Sequence, residues 1–331
     1  MKKNVFFIVF SIIASGTLFG QYKSKYPEIP IIDVHSHPTT VSDVSNYLKV
    51  SETIKGKYGS NLAFWIGLEK LVDPLAEMKT ANSRIHFTVC ERRPQEGLTY
   101  TPEEVVAMLH NGYVGMKFWF GDPRRILEGK EGITRYDDPR FENLFLALER
   151  ENVPVTSQIA DPNGPFDNRQ NWMKDPVYYW RQIRAFENVV AKYPNLTIIA
   201  AHAAWIICQD AQIDYLRYMF SKYPNFYVDI SATCQFIPLV NRDNLRDFYI
   251  EYQDRLLFGT DGGNVADNAI NNIADSYARF FAILETDQIV NGGYFGNRPT
   301  QGLDLPREVL EKIYYKNALK LYPGLKTAMG L

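Results

Sequence analysis

Cysteine is scarce: Cys90, Cys208 and Cys234 are all that 331 residues carry. Two of the three can pair, but an odd, widely spaced trio is no disulfide framework of the kind that holds small secreted domains together. Stability must come from a buried core, which a chain of this length is large enough to build. An excess of one charge is missing too. Lys and Arg total 36 against 38 Asp and Glu, a formal net charge of -2. With no basic cluster, nothing draws the protein to nucleic acid or an acidic membrane, and small molecules are the expected partners. No Gly-rich dinucleotide motif follows any apolar run. There is no internal repeat, low-complexity segment or inter-domain linker. No apolar run reaches the roughly 20 residues that a membrane-spanning helix needs.

The longest apolar run lies at the N-terminus. Lys2 and Lys3 precede Val5 to Phe19, which contains the small residues Ala14, Ser15 and Gly16. That is the pattern of a cleaved secretory leader, with cleavage after Gly16 or Gly20. No cysteine stands there to carry a lipid. The expectation is an exported protein, periplasmic or secreted, without stable membrane insertion after cleavage. Residues 1–20 form the leader, and 21–331 form one domain.

Hydrophobic residues make up 46% and charged residues 22% of the chain, as in a globular protein with a sizeable core. From residue 84 onward, short apolar runs alternate with amphipathic stretches. Thr101-Pro102-Glu103-Glu104 is a capping box with Pro at the first helical position, and Gly112 ends that helix. Asp138-Pro139 and Asp175-Pro176 open two more, and a fourth follows Asp210 with Ile213, Leu216 and Phe220 on one face. Between them lie expected strands: Ile31–His35, Arg84–Glu91, Val114–Phe120, Pro154–Ile159, Leu196–His202, Phe226–Ser231 and Arg255–Asp261. Leu62–Leu68 is a weaker eighth. Continuous apolar runs suit strands buried on both faces, hence a parallel sheet covered by helices. Eight strands alternating with helices over about 300 residues point to an α/β fold, a distorted TIM (β/α)8 barrel. A doubly wound open sheet is the alternative.

The ends of these runs carry the chemistry. The first ends in Asp33-Val34-His35-Ser36-His37; later ones carry Lys117, Gln158, His202, Asp229 and Asp261. In a β/α barrel the C-terminal strand ends form one rim, so six strands converge there. Buried polar groups cost free energy unless partnered, so packing alone does not explain such a pattern. On a strand, residues two apart share a face, which lets His35 and His37 reach one metal ion and places Asp33 beside them. His86 and His110 fall away from the rim.

Ile31-Ile32-Asp33-Val34-His35-Ser36-His37 resembles the opening strand of the amidohydrolase superfamily. Thr197–His202 resembles its sixth strand, and Arg255–Asp261 its eighth. Lys312–Ala318 resembles the closing helix of the branch that includes the aminocarboxymuconate-semialdehyde decarboxylases. The resemblance runs from about residue 30 to about residue 322. It implies a barrel with one or two divalent metals, often zinc. His35 and His37 would be ligands, and Asp261 a ligand and general base. His202 would bind a second metal or polarise the substrate. One ion is expected here, zinc first, with manganese and iron as alternatives. The chemistry is coherent by itself: a metal with an open position lowers the pKa of bound water to about 7, and an adjacent carboxylate can carry the proton.

One position departs from the family. Its fifth strand usually ends in a metal-binding histidine, and here Gln158 holds that place; an amide oxygen is the weaker ligand. Lys117 stands where some members carboxylate a lysine and others pair an amine with a substrate carboxylate. Asp229 is expected to orient a ligand or His202. Aromatic residues reach 14%. Trp119, Phe166 and Trp205, with Arg169 for a carboxylate, are expected to line a substrate pocket.

Three functions are compatible with these residues. The first is hydrolysis of a C–N or C–O bond in an amide, ester or lactone. The second is non-oxidative decarboxylation of an unsaturated acid. The third is a barrel that, with Gln158, has given up catalysis for small-molecule binding. A homodimer is compatible with all three.

Overall fold

The computed structural model describes residues 22–92, 97–120, 135–159, 176–291 and 298–330. The leader, Phe166 and Arg169 lie outside the described residues. No described helix is long and apolar enough to cross a membrane.

The apolar runs form the staves of a barrel. Three parallel strands pair in the order β1 (Pro30–Ser36), β2 (Asn61–Gly67) and β3 (Ile85–Phe87). Six more follow in sequence order: β4 (Val89–Glu91), β5 (Met116–Phe120), β6 (Val155–Ile159), β7 (Ile198–Ala200), β8 (Phe226–Asp229) and β9 (Leu256–Leu257). The expected run Arg84–Glu91 is thus broken at Thr88. Its N–H turns back to Gly67 O at 3.0 Å, while Val89 N–H turns forward to Gly115 O at 2.9 Å, joining the two ladders. On the other side Val34 N–H donates to Phe258 O at 3.0 Å and Asp261 N–H to His35 O at 2.8 Å, tying β1 to the segment after β9.

Helices cover the staves. The capping box at Thr101 is present, with Glu104 N–H on the Thr101 hydroxyl, and opens α3 (Pro102–His110). Two earlier helices, α1 (Val41–Tyr58) and α2 (Leu75–Ala81), were not among the expected elements. α1 has its own box, in which Asp43 replaces the usual Glu, a shorter side chain that sequence patterns pass over. α4 (Glu142–Glu151) follows a short turn opened by Asp138, and α5 (Pro176–Lys192) begins at its expected proline. α6 (Asp210–Lys222) corrects one expectation: Asp210 is its first residue, not its cap. The Asp210 carboxylate instead accepts from Asn241 N–H and Asn244 Nδ2, at 2.9 and 2.8 Å, holding the start of α7 (Arg242–Glu251). α8 (Ile270–Glu285) packs beside α1.

The interior of the barrel has a floor. Ile32, Val34, Phe64, Ile66, Ile199, Tyr227 and Leu257 form one apolar cluster with Ala318, Leu321, Tyr322 and Leu325. Three helices close the chain: α9 (Arg307–Glu311), α10 (Asn317–Leu321) and α11 (Pro323–Ala328). Ala318 and Leu321 come from α10, Leu325 from α11 and Tyr322 from between these two, and together they plug the barrel from below. The cysteines are free, so none of the possible pairs forms. Packing between staves and helices, and against the plug, carries the stability.

Candidate metal centre

Above the floor the interior turns polar within one to four residues along each segment. The first turn is made by an irregularity in β1. Its ladder with β2 shifts register between Asp33 and Ser36, which breaks the simple alternation expected for Asp33, His35 and His37. Asp33 therefore does not join the histidines. Its carboxylate accepts from His35 N–H at 2.9 Å, Thr260 N–H at 3.1 Å and the Tyr277 hydroxyl, between β1 and α8. Burial pushes its pKa up to about 6, against the pull of these donors. Asp33 thus ties the backbone of one candidate ligand to the residue preceding another.

His35 and His37 do converge. Their Nε2 atoms stand 3.1 Å apart. Asp261 Oδ1 lies 2.9 Å from His37 Nε2 and 3.4 Å from His35 Nε2. Ligands bound to one ion by bonds of about 2.0–2.2 Å stand about 3–3.5 Å apart, so this triangle has the size of a metal's coordination face. Among the described residues, these three form one group whose atoms can hold an ion, and His35, His202 and Asp229 form another, fully buried. The donor set fits a divalent cation of the zinc or manganese kind, two imidazoles and a carboxylate.

The surroundings set the protonation states. His35 is fully buried, and its Nδ1–H donates to Asp229 Oδ2 at 2.9 Å. Burial, helped by nearby Lys117, lowers its pKa to about 3, leaving a neutral ring with the lone pair on Nε2. His37 is shifted the other way: burial opposes its proton, but Asp261 and Glu69 outweigh it. Glu69 Oε2 lies 3.5 Å from His37 Nδ1, and its other oxygen holds Arg92 at 3.0 Å. Burial alone would raise Asp229 and Asp261, yet the histidines around them hold both well below the usual carboxylate range.

His202 stands two residues beyond β7, at the end of the expected run. His202, Ala203, Ala204 and Trp205 all have positive φ, from 49 to 62°, a single left-handed turn. Such a backbone costs about 1–2 kcal/mol per non-glycine residue. Offsetting contacts surround it. His202 N–H donates to Asp229 Oδ1 at 3.0 Å, its ring stacks on Trp205 at 4.3 Å, and the Tyr179 hydroxyl donates to Ala204 O at 2.9 Å. Strain held in place by this many partners is typical of functional sites. Asp229 therefore orients both histidines, His35 by its ring and His202 by its backbone.

Lys117 lies inside the barrel, 1% exposed, with Nζ 3.4 Å from His35 Nε2. Burial pulls its pKa down, against Asp229 and Asp261. In the parallel register Lys117 pairs with Thr156 and Trp119 with Gln158. Gln158 and Trp119 thus lie on the inward face, two residues nearer the rim. The Arg92 guanidinium sits 5.9 Å from the Trp119 ring. Trp205 is nearly buried and packs edge-on against Phe236 at 5.5 Å. Three neighbours of the ligands had escaped the sequence reading: Glu69, Arg92 and Ser231. Glu69 directly follows the run Leu62–Leu68 and Ser231 ends Phe226–Ser231, so the strand-end rule applied to both. Gly259 fits closely as well, since a Cβ there would stand 2.8 Å from that of His35.

A β/α barrel with two histidines from its first strand and an aspartate after its last defines a class of metal-site barrels. Comparison with protein families is specific: the family described as amidohydrolase matches residues 84–324. The chain belongs to that family. The match begins after β1, so the His35–His37 pair enters through the structure. No curated protein matches the chain. Solved structures with similar folds include an uncharacterised TIM-barrel protein from Bordetella bronchiseptica, 16% identical, with TM-score 0.55, covering 88% of this chain and 98% of that one. The 2,6-dihydroxybenzoate decarboxylase from Rhizobium is 16% identical, TM-score 0.50, covering 89% and 98%. A dihydroxybenzoic acid decarboxylase from Polaromonas, solved with manganese and 2-nitroresorcinol, is 15% identical, TM-score 0.50, covering 89% and 97%.

Proposed function

We propose that the protein is a metal-dependent, non-oxidative decarboxylase of a small unsaturated carboxylic acid. His35, His37 and Asp261 would hold the ion, and Gln158 faces the same interior as a further, weaker donor. One observation carries the reading: His202, Lys117, Asp229 and His35 are each no more than 1% exposed, so a buried array of polar groups lies beneath the metal position, where His37 and Asp261 reach the surface with side chains 20% and 37% exposed. Hydrolysis needs water as a reactant; loss of CO2 needs none and is favoured where the carboxylate is stripped of water. The two decarboxylases of like fold support the same choice.

A divalent ion bound there supplies fixed positive charge and Lewis acidity toward anionic substrate oxygens. The Lys117 ammonium adds a second positive charge at the base of the site, suited to a carboxylate. When the C–C bond breaks, its electron pair stays on the substrate carbon and CO2 departs. That carbon then takes one proton. His202 would carry it: Nδ1 faces Ser231 O at 3.0 Å, leaving Nε2 bare toward the substrate, so Nε2 would take the acid's own proton and return it to that carbon, a return that burial favours by lowering the pKa of His202. The Trp205 ring, stacked on His202, and Trp119 on the inward face would hold a flat acid and keep water out.

Hydrolysis of a C–N or C–O bond is the second reading, supported by the family's description and by Asp261, a carboxylate beside the metal position. The protein as purified, loaded with zinc or manganese, distinguishes them. Release of CO2 from hydroxybenzoate-type or dienoic acids supports decarboxylation. Turnover of amides, esters or lactones without CO2 overturns it. Export rests on the leader alone, and the N-terminal mass of protein recovered outside the cytoplasm tests it.

A further inference from the structure

Ser231, just beyond β8, touches both working histidines through one atom. Its Oγ stands 2.9 Å from His35 Nδ1 and 2.9 Å from His202 Nδ1. It also donates to Asp229 Oδ1 in a short hydrogen bond. Ser231 is fully buried. Its backbone takes part too, with N–H on Asp229 Oδ1 at 3.1 Å and the carbonyl 3.0 Å from His202 Nδ1.

Counting protons settles the roles. A hydroxyl has one hydrogen and two lone pairs. The hydrogen goes to Asp229, so both lone pairs are left to accept. The other atoms facing the two Nδ1 positions are a carboxylate oxygen and a carbonyl oxygen, and neither has a proton to give. Both rings must therefore carry their hydrogen on Nδ1. That leaves His35 Nε2 bare toward His37 and Asp261, and His202 Nε2 bare for the substrate. The ring centroids lie 4.7 Å apart, held from one side by the same oxygen. Space for this is made by Gly259, whose Cβ would come within 2.8 Å of that of His35 and 3.1 Å of that of Ser231.

We infer that Ser231 is a positioning residue: its hydroxyl is the shared acceptor that holds the metal-binding imidazole and the proton-transferring imidazole in one tautomer and one mutual orientation. The inference rests on the roles given above to His35 and His202, but two of its three readouts do not need a substrate.

The experiment compares wild type with Ser231→Ala, Ser231→Cys and Ser231→Thr in the full chain. Zn2+ affinity is measured by titration, and the metal-free proteins are labelled with 15N-histidine. Five histidines make the spectra assignable by single substitution. Wild type is expected to show His35 and His202 locked as Nδ1–H tautomers. Ser231→Ala and Ser231→Cys should bind zinc about tenfold more weakly and give averaged His202 nitrogens, since outer partners of metal ligands are worth roughly 10–100-fold. Ser231→Thr, which keeps the hydroxyl, should restore both. With an acid that wild type turns over, kcat should fall about tenfold or more in the first two variants while KM stays within about twofold. Ser231→Cys nearly keeps the volume, so wild-type behaviour of that variant would reduce Ser231 to a space filler and overturn the inference. Nε2–H tautomers in wild type would overturn it as well. If no acid is turned over, the decarboxylase reading fails, while zinc affinity and spectra still decide the role of Ser231.

Discussion

At the lower end of the barrel, Val34, Ile199, Tyr227 and Leu257 meet the apolar faces of the closing helices. One to four residues further along the same segments stand His35, His202, Asp229 and Asp261, joined by hydrogen bonds and strained backbone. The two ends differ in what a side chain must do. Floor residues fill volume, and any apolar shape of the right size serves. Mouth residues must present particular atoms at particular distances, and each buried polar atom needs its partner. The same staves thus separate stability from chemistry by a step of one to four residues.

Substitutions test that separation. Asp261→Asn should lower activity about a thousandfold or more, because it removes a ligand charge and a proton acceptor together. Its melting temperature without metal should stay near wild type, and near-normal turnover would remove Asp261 from the site. Leu257→Ala should do the opposite, costing about 2–5 kcal/mol in denaturant unfolding while each folded molecule keeps its kcat/KM within about twofold. A large loss of turnover there would mean that floor and mouth are coupled. Gln158→His should tighten zinc binding about tenfold, since Gln158 shares the inward face with Trp119. An unchanged dissociation constant would show that β6 ends too far from the ion.

The smallest effect is electrostatic. His35 has a pKa lowered to about 3 in the folded chain, against about 6.5 unfolded. The unfolded state takes up this proton first, so stability is lost as pH falls from 6.5 toward 3 and is complete above that window. Between pH 6 and 5 the slope from one such histidine is about 1.4 kcal/mol per unit at most. Asp33, raised to about 6, works in the other direction over pH 6 to 4. Melting curves of metal-free wild type and His35→Asn across this range should differ in slope. Parallel curves would contradict a buried neutral His35.

The barrel could be read from the chain because its strands are continuous apolar runs, and such runs are stable in few places other than a covered parallel sheet. His35, His37, His202 and Asp261 could be read because strand ends in that architecture share one rim. The early helix α1 escaped because its capping box uses Asp43 and its apolar pattern is weak. Asp33 was misplaced because an alternation rule cannot foresee a register shift inside a strand. Ser231, Glu69 and Arg92 gave the same kind of signal as their neighbours, but serine and charged residues at strand ends are common, and only their distances distinguish them.

The sequence alone thus determined the order of strands and helices, the side of the barrel that carries the chemistry and the residue types placed there. These follow from local patterns of apolar and polar residues, which the chain carries in one dimension. The tertiary structure decided which nitrogen of His35 and of His202 is bare, that Asp33 supports rather than joins the ligands, and that a single serine oxygen lies between two rings 196 and 29 positions away. Those outcomes depend on distances of a few tenths of an ångström between segments far apart in the chain, and only packing sets them.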